Sequence, residues 1–185
     1  EGIGVRPMID PGFQCHSADA AEGAAASNIT RGPTVAADAV DWFMVDEGVE
    51  SLGHRRWILN PEMGATALGI RGEYSCMYAV DTGGSSSPTF VAYPVGTFPM
   101  QAMRGPWTFA SDHLTITEAT VSITDAAGGD VAVEALARPE GNFGLPTLAW
   151  QVPDATAGGI YTITISGLTG DQTEVVYTVS LVDCV

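Results

Sequence analysis

Apolar positions along this chain first fall without period, then recur at helical spacing, and finally alternate with polar ones. Residues 1–32 are rich in Gly, Ala, Pro and Ser and read as loop, with a short helical patch near 18–26. From Thr34 the spacing changes. Ala36, Ala39, Val40, Phe43 and Glu47 mark one helical face, with Thr34 as the expected N-cap and Gly48 as the stop. A second, short helix is predicted from Ser51 through Leu59, ending at Asn60 because the residue before Pro61 is driven away from helical backbone. Beyond Pro61, short apolar runs at 65–71, 74–81 and 89–95 predict one antiparallel sheet, and the Ser-rich stretch 83–88 reads as a surface loop.

Prolines and glycines then recur without period up to Pro106. Runs at 107–109, 114–116, 119–124, 131–136, 147–152, 160–166 and 174–182 follow, punctuated by turn residues, which is the pattern of a β-sandwich. Val121 and Ile123, like Ile163 and Ile165, alternate with Ser or Thr, so these strands have one buried and one wet face. Trp150 and Tyr161 are the expected core aromatics. The predicted class is α+β: a mixed domain over 1–98, a linker over 99–106 and an all-β domain over 107–185.

With 45% apolar residues the chain can fill such cores, and no apolar stretch nears the roughly 20 residues that span a bilayer. The formal charge is −15, and all 7 basic residues are Arg. That field repels phosphate, which excludes nucleic acid and anionic membranes as partners. The acids are spread through both halves, fitting either a solvated surface or one that carries calcium. No basic-then-apolar leader opens the chain, so export, if it occurs, would follow removal of an address, and a secreted or cell-surface location is expected. Cys15, Cys76 and Cys184 are too far apart for a redox or zinc-knuckle motif; in an exported chain Cys15 with Cys76 is the favoured disulfide.

The most specific string is Leu52-Gly53-His54-Arg55-Arg56-Trp57-Ile58-Leu59-Asn60-Pro61, preceded by Trp42, Asp46 and Gly48 and followed by Gly64 and Leu68-Gly69-Ile70. It resembles the CAP superfamily of cysteine-rich secretory, antigen-five and pathogenesis-related proteins, in its bacterial secreted branch, over roughly residues 13–95. The resemblance implies an α/β/α sandwich, here lacking its first helix; the strand pattern beyond it predicts an immunoglobulin-like sandwich. It also implies a cleft of two histidines and two acids that binds a divalent metal in some members. His54 carries over directly, and His16 is the upstream candidate for the second histidine. Ser27 stands where the family's "GENI" glutamate is expected, and Asp46, Glu47 and Glu50 lie near the position of the other acid. The metal set is therefore His54, His16 and Glu47, with zinc or a similar ion suited to it; the cleft set is His54, Glu50, Asp46, Trp42 and Trp57.

Other readings of these residues stay open. His54 reads equally as a hydrogen-bonded wall residue; His16 reads as a loop residue and His113, beside Asp112, as a surface one. Arg55 and Arg56 suit ion pairs with Asp46 or Glu50, and Trp42 and Trp57 suit a core. Ser51 reads as an N-cap rather than a nucleophile, and no hydrolase elbow, zincin helix or phosphate loop occurs. Asn28-Ile29-Thr30 forms a glycosylation triplet. The expectation is a non-enzymatic extracellular module that binds a ligand, partner or surface. The alternatives are a metal-dependent hydrolase and a structural surface or filament component.

Overall fold

Ser17 opens the first helix by accepting the Ala20 N–H on its hydroxyl at 3.1 Å, a side-chain N-cap. Helix α1, Ala18–Ala25, ends where the chain straightens into strand β1, Ser27–Arg31. A computed structural model describes residues 17–103 and 105–184, and Cys15 and His16 lie outside them. The α+β chain divides into two units, Glu1–Ser87 and Pro88–Val185.

In the first unit, helix α2, Ala36–Val45, begins after extended Val35 and not on a Thr34 cap. It ends before Gly48, because Asp46 takes left-handed backbone (φ 53°) and its N–H closes the last turn on Trp42 O. Helix α3, Gly53–Ile58, is shorter than the run from Ser51 predicts; Leu52, itself at φ 48°, precedes it. Strands β2, Ala67–Arg71, and β3, Tyr74–Tyr78, complete an antiparallel sheet of order β1-β3-β2. Strand β1 has no counterpart among the predicted elements, because Ser-Asn-Ile-Thr-Arg offers a single large apolar residue and therefore no alternation. Ala39 and Phe43, one turn apart on α2, pack with Met77 of β3, and Val40, Ile58 and Leu68 border them.

A tight loop closes this unit. Asp81 accepts the Ala65 N–H on Oδ2 at 2.7 Å and the Gly83 N–H on Oδ1 at 2.8 Å, while its carbonyl takes the Gly64 N–H at 3.0 Å. The Gly84 N–H donates to Glu62 O at 2.8 Å, an approach so close that a Cβ on Gly84 would sit 2.6 Å from that oxygen.

The second unit holds β4 (Val91–Tyr93), β5 (Gly96–Pro99), a 3-10 turn (Met100–Ala102), β6 (Trp107–Ala110), β7 (Thr120–Asp125), β8 (Glu134–Ala135), β9 (Thr147–Gln151), β10 (Ile160–Ser166) and β11 (Glu174–Val182). They form two four-stranded sheets, β5-β11-β10-β7 and β4-β6-β9-β8. Both contribute to one core that includes Trp107, Phe109, Leu148 and Trp150 from one sheet and Ile123, Ile163, Ile165, Val179 and Leu181 from the other. Trp150 and Tyr161 are buried there, as their size and pattern predict.

The division after Ser87 lies upstream of the boundary after 98 and the 99–106 linker that the sequence predicts. β4 pairs with β6, and β5 runs parallel to β11, so residues 91–99 belong to the second unit. Pro99 is tolerated there because β5 is an edge strand, where a missing N–H breaks no inner ladder. Residues 114–116 are no strand: Leu114 and Ile116 plug the core while Thr115 makes one bridge to Thr169. Within 131–136 only Glu134–Ala135 pairs as a strand. Cys76 is a half-buried thiol and Cys184 an exposed one. No helix among the described residues is long and apolar enough to cross a membrane.

The 62–84 loop yields two expectations. Gly84→Ala forces backbone apart and should cost the first unit on the order of 1–3 kcal/mol, measured by urea unfolding; an unchanged midpoint would show that residues 62–63 yield freely. The second concerns Asp81, whose carboxyl is held below the ordinary carboxylate range by the Ala65 N–H foremost and the Gly83 N–H next. A depressed folded value means that this stabilisation is complete above about pH 4 and is lost as pH falls further. The stability gap between the native chain and Asp81→Asn should therefore narrow below about pH 4; a gap independent of pH would remove the charge from the explanation.

Candidate functional site

Two helix ends meet around one carboxylate. After α2, the Val49 N–H bonds Asp46 O and the Leu52 N–H bonds Val49 O, so the chain doubles back and delivers the start of α3 to Asp46. Asp46 Oδ2 accepts the His54 N–H at 3.0 Å and the Arg55 N–H at 3.3 Å, satisfying first-turn donors that α3 cannot satisfy itself. Asp46 Oδ1 lies 2.6 Å from His54 Nδ1. The carboxylate is 1% exposed and the imidazole 35%.

The arrangement is reciprocal. The Arg55 side chain, fully buried, donates Nε–H to Met44 O and Nη2–H to Val45 O, so a cation from α3 caps the carbonyl end of α2. The Arg56 guanidinium donates to Ser51 O at 3.2 Å, and burial draws its pKa below the ordinary arginine value. The His54 ring stacks on Phe43 with centroids 5.5 Å apart. The buried Asn28 donates its amide to His54 O at 2.9 Å. With Nδ1 held against Asp46, Nε2 is the ring nitrogen of His54 left for a further hydrogen bond or a coordination bond.

The structure thus brings Asp46 and His54 together. Glu47 and Glu50 are exposed, Trp57 is half-buried, and Trp42 is 54% exposed with its ring against Gly32. Both oxygens of Asp46 are occupied by hydrogen bonds, and among the described residues no group of three or more His, Cys, Asp or Glu side chains is arranged to hold a metal ion. The donor set does not fit a complete metal centre within these residues; His16 lies outside them. Ser51 does not cap α3 with its hydroxyl, because the carboxylate of Asp46 fills that role. Asn28 is 3% exposed, so its triplet holds a structural amide and not an open glycan acceptor. His113 is a surface residue, with Nε2 3.5 Å from Asp112.

The stacking of Phe43 on His54, the capping role of Arg55 and the Asn28 amide, 26 residues from His54, carry no sequence signal of their own. Compared with protein-family models, curated proteins and solved structures, the chain matches none of them.

Asp46→Ala removes three hydrogen bonds and places alanine in left-handed backbone, so it should destabilise the first unit by about 2–4 kcal/mol. Asp46→Asn, which tolerates that backbone and keeps an acceptor, should cost less than half as much. Arg55→Met, which keeps the aliphatic bulk but bares two carbonyls, should cost about 2–3 kcal/mol. Denaturant midpoints check all three; equal losses for Asp46→Asn and Asp46→Ala would place the effect in charge alone.

Proposed function

We propose that this chain is a secreted, non-enzymatic binding module of CAP type, carried with an immunoglobulin-like β-sandwich as its accessory domain. One observation carries the reading: the pair of buried Asp46 and partly exposed His54, built from the string that resembles the family. The element order supports it, since a helix, an acidic turn, a second helix bearing His54 and antiparallel strands follow one another as the resemblance implies. The second unit supports its half with two four-stranded sheets sharing one core.

The histidine is fixed in orientation by three groups. Its Nδ1 is held by Asp46, its ring by Phe43 and its carbonyl by Asn28. What remains for chemistry is Nε2 on a ring one-third exposed, which suits recognition of a ligand by a single bond.

A second reading has one feature in its favour. A carboxylate on Nδ1 is the usual orienter of a metal-binding imidazole, as a metal-dependent extracellular hydrolase would require. Elemental analysis after equilibration with zinc separates the two. The binding reading expects no stoichiometric zinc in the native chain or in His54→Ala; one equivalent of zinc in the native chain that vanishes in His54→Ala would overturn it.

A further inference from the structure

Helix α2 leaves an outer stripe with a composition that its fold does not use. Ala39 and Phe43 take the core, and Val35 at the N-cap, Asp38 and Trp42 follow at helical spacing along the face beside it. Val35 and Trp42 are each 54% exposed, and Asp38, between them, is exposed as well. The indole is held in place all the same. A Cβ on Gly32, which has φ 137°, would lie 3.0 Å from Trp42 Cη2, so the ring rests on backbone that no side chain can share.

Two large apolar groups flanking a carboxylate match a side chain with an aliphatic stem and a cationic head. The charge around the stripe has the matching sign. Asp41, Glu47 and Glu50 are exposed on α2 and the turn after it, whereas Arg55 and Arg56 are buried, Arg31 is paired with Glu73 at 2.7 Å and Arg71 is exposed on β2. The net charge of −15 extends the same attraction over a longer range.

We propose that the outer stripe of α2 is a docking surface for a lysine- or arginine-bearing segment of a partner protein. The stem of one basic side chain lies across Trp42 and Val35, its head meets Asp38, and neighbouring basic residues meet Asp41 and the acids of the following turn. The inference names a partner chemistry for the binding module proposed above and rests on that reading for its biological setting. Metal content tests that reading and peptide affinity tests this one, so either can fail alone.

Calorimetric titration of the full chain with hexaarginine and hexalysine at low and physiological salt is the test. Saturable binding that weakens with salt is expected, with Trp42→Ala reducing affinity about 3- to 10-fold, the range of a cation over an aromatic face plus its stem contact. Trp42→Phe, which keeps an aromatic face, should retain most of the affinity. Asp38→Asn should weaken binding and Asp171→Asn, an equal change of charge in the second unit, should not. Equal affinity for the native chain and Trp42→Ala would overturn the proposal, as would equal losses in Asp38→Asn and Asp171→Asn. Competition by tetramethylammonium as strong as by peptide of equal charge would also overturn it, since a small cation would then suffice.

Discussion

A carboxylate buried between two helix ends organises the first unit. Asp46 terminates α2 in left-handed backbone and serves as the missing cap of α3, a helix of 6 residues that is far too short to persist by itself. Arg55 returns the favour by covering the carbonyls at the end of α2. Burying either charge costs free energy unless each finds its hydrogen bonds, so the two helices hold together as a pair or not at all. His54 inherits its position from this exchange, because its own N–H and its Nδ1 both bond the same carboxylate.

The two units reach stability by different means. In the second, large residues such as Trp107, Trp150 and Phe109 lie with aliphatic residues of the facing sheet in one extended core, and burial of apolar surface suffices. In the first, Ala39, Phe43 and Met77 form a small cluster, and polar side chains carry much of the positioning: Asp46 and Arg55 at the helix ends, Asn28 beneath His54, Asp81 in the closing loop. Polar positioning is directional where hydrophobic packing is not. A unit built this way holds one imidazole accurately without needing a large core.

What the sequence shows follows the same division. Alternation of Val, Ile and Thr makes most strands of the second unit legible, since burial acts on every second residue. It fails at 114–116, where alternating apolar residues fill the core from a bend, and at 96–99, where a short run ending in proline conceals an edge strand. Helix α2 is legible from Ala39 and Phe43, but its end at Asp46 is not, because left-handed aspartate is rarer than the glycine two residues on. Asn28 and β1 are illegible for a related reason: a single buried amide reaching across 26 residues leaves no local pattern.

The motif around His54 shows how resemblance and chemistry separate. Neighbouring residues on a helix face different directions, so Gly53, His54, Arg55 and Arg56 cannot share one task. Gly53 is buried, Arg55 caps α2 and Arg56 reaches Ser51, so most of the string is engaged by the fold. A string this specific can therefore be demanded by folding alone, and its presence does not by itself require a reaction. Only the part of His54 that the fold leaves over, Nε2 on a partly exposed ring, is available to a ligand. The exposed stripe of α2 follows the same logic: Trp42 rests on Gly32 and Val35 stands at the N-cap, and the surface that each leaves exposed is what a partner could use.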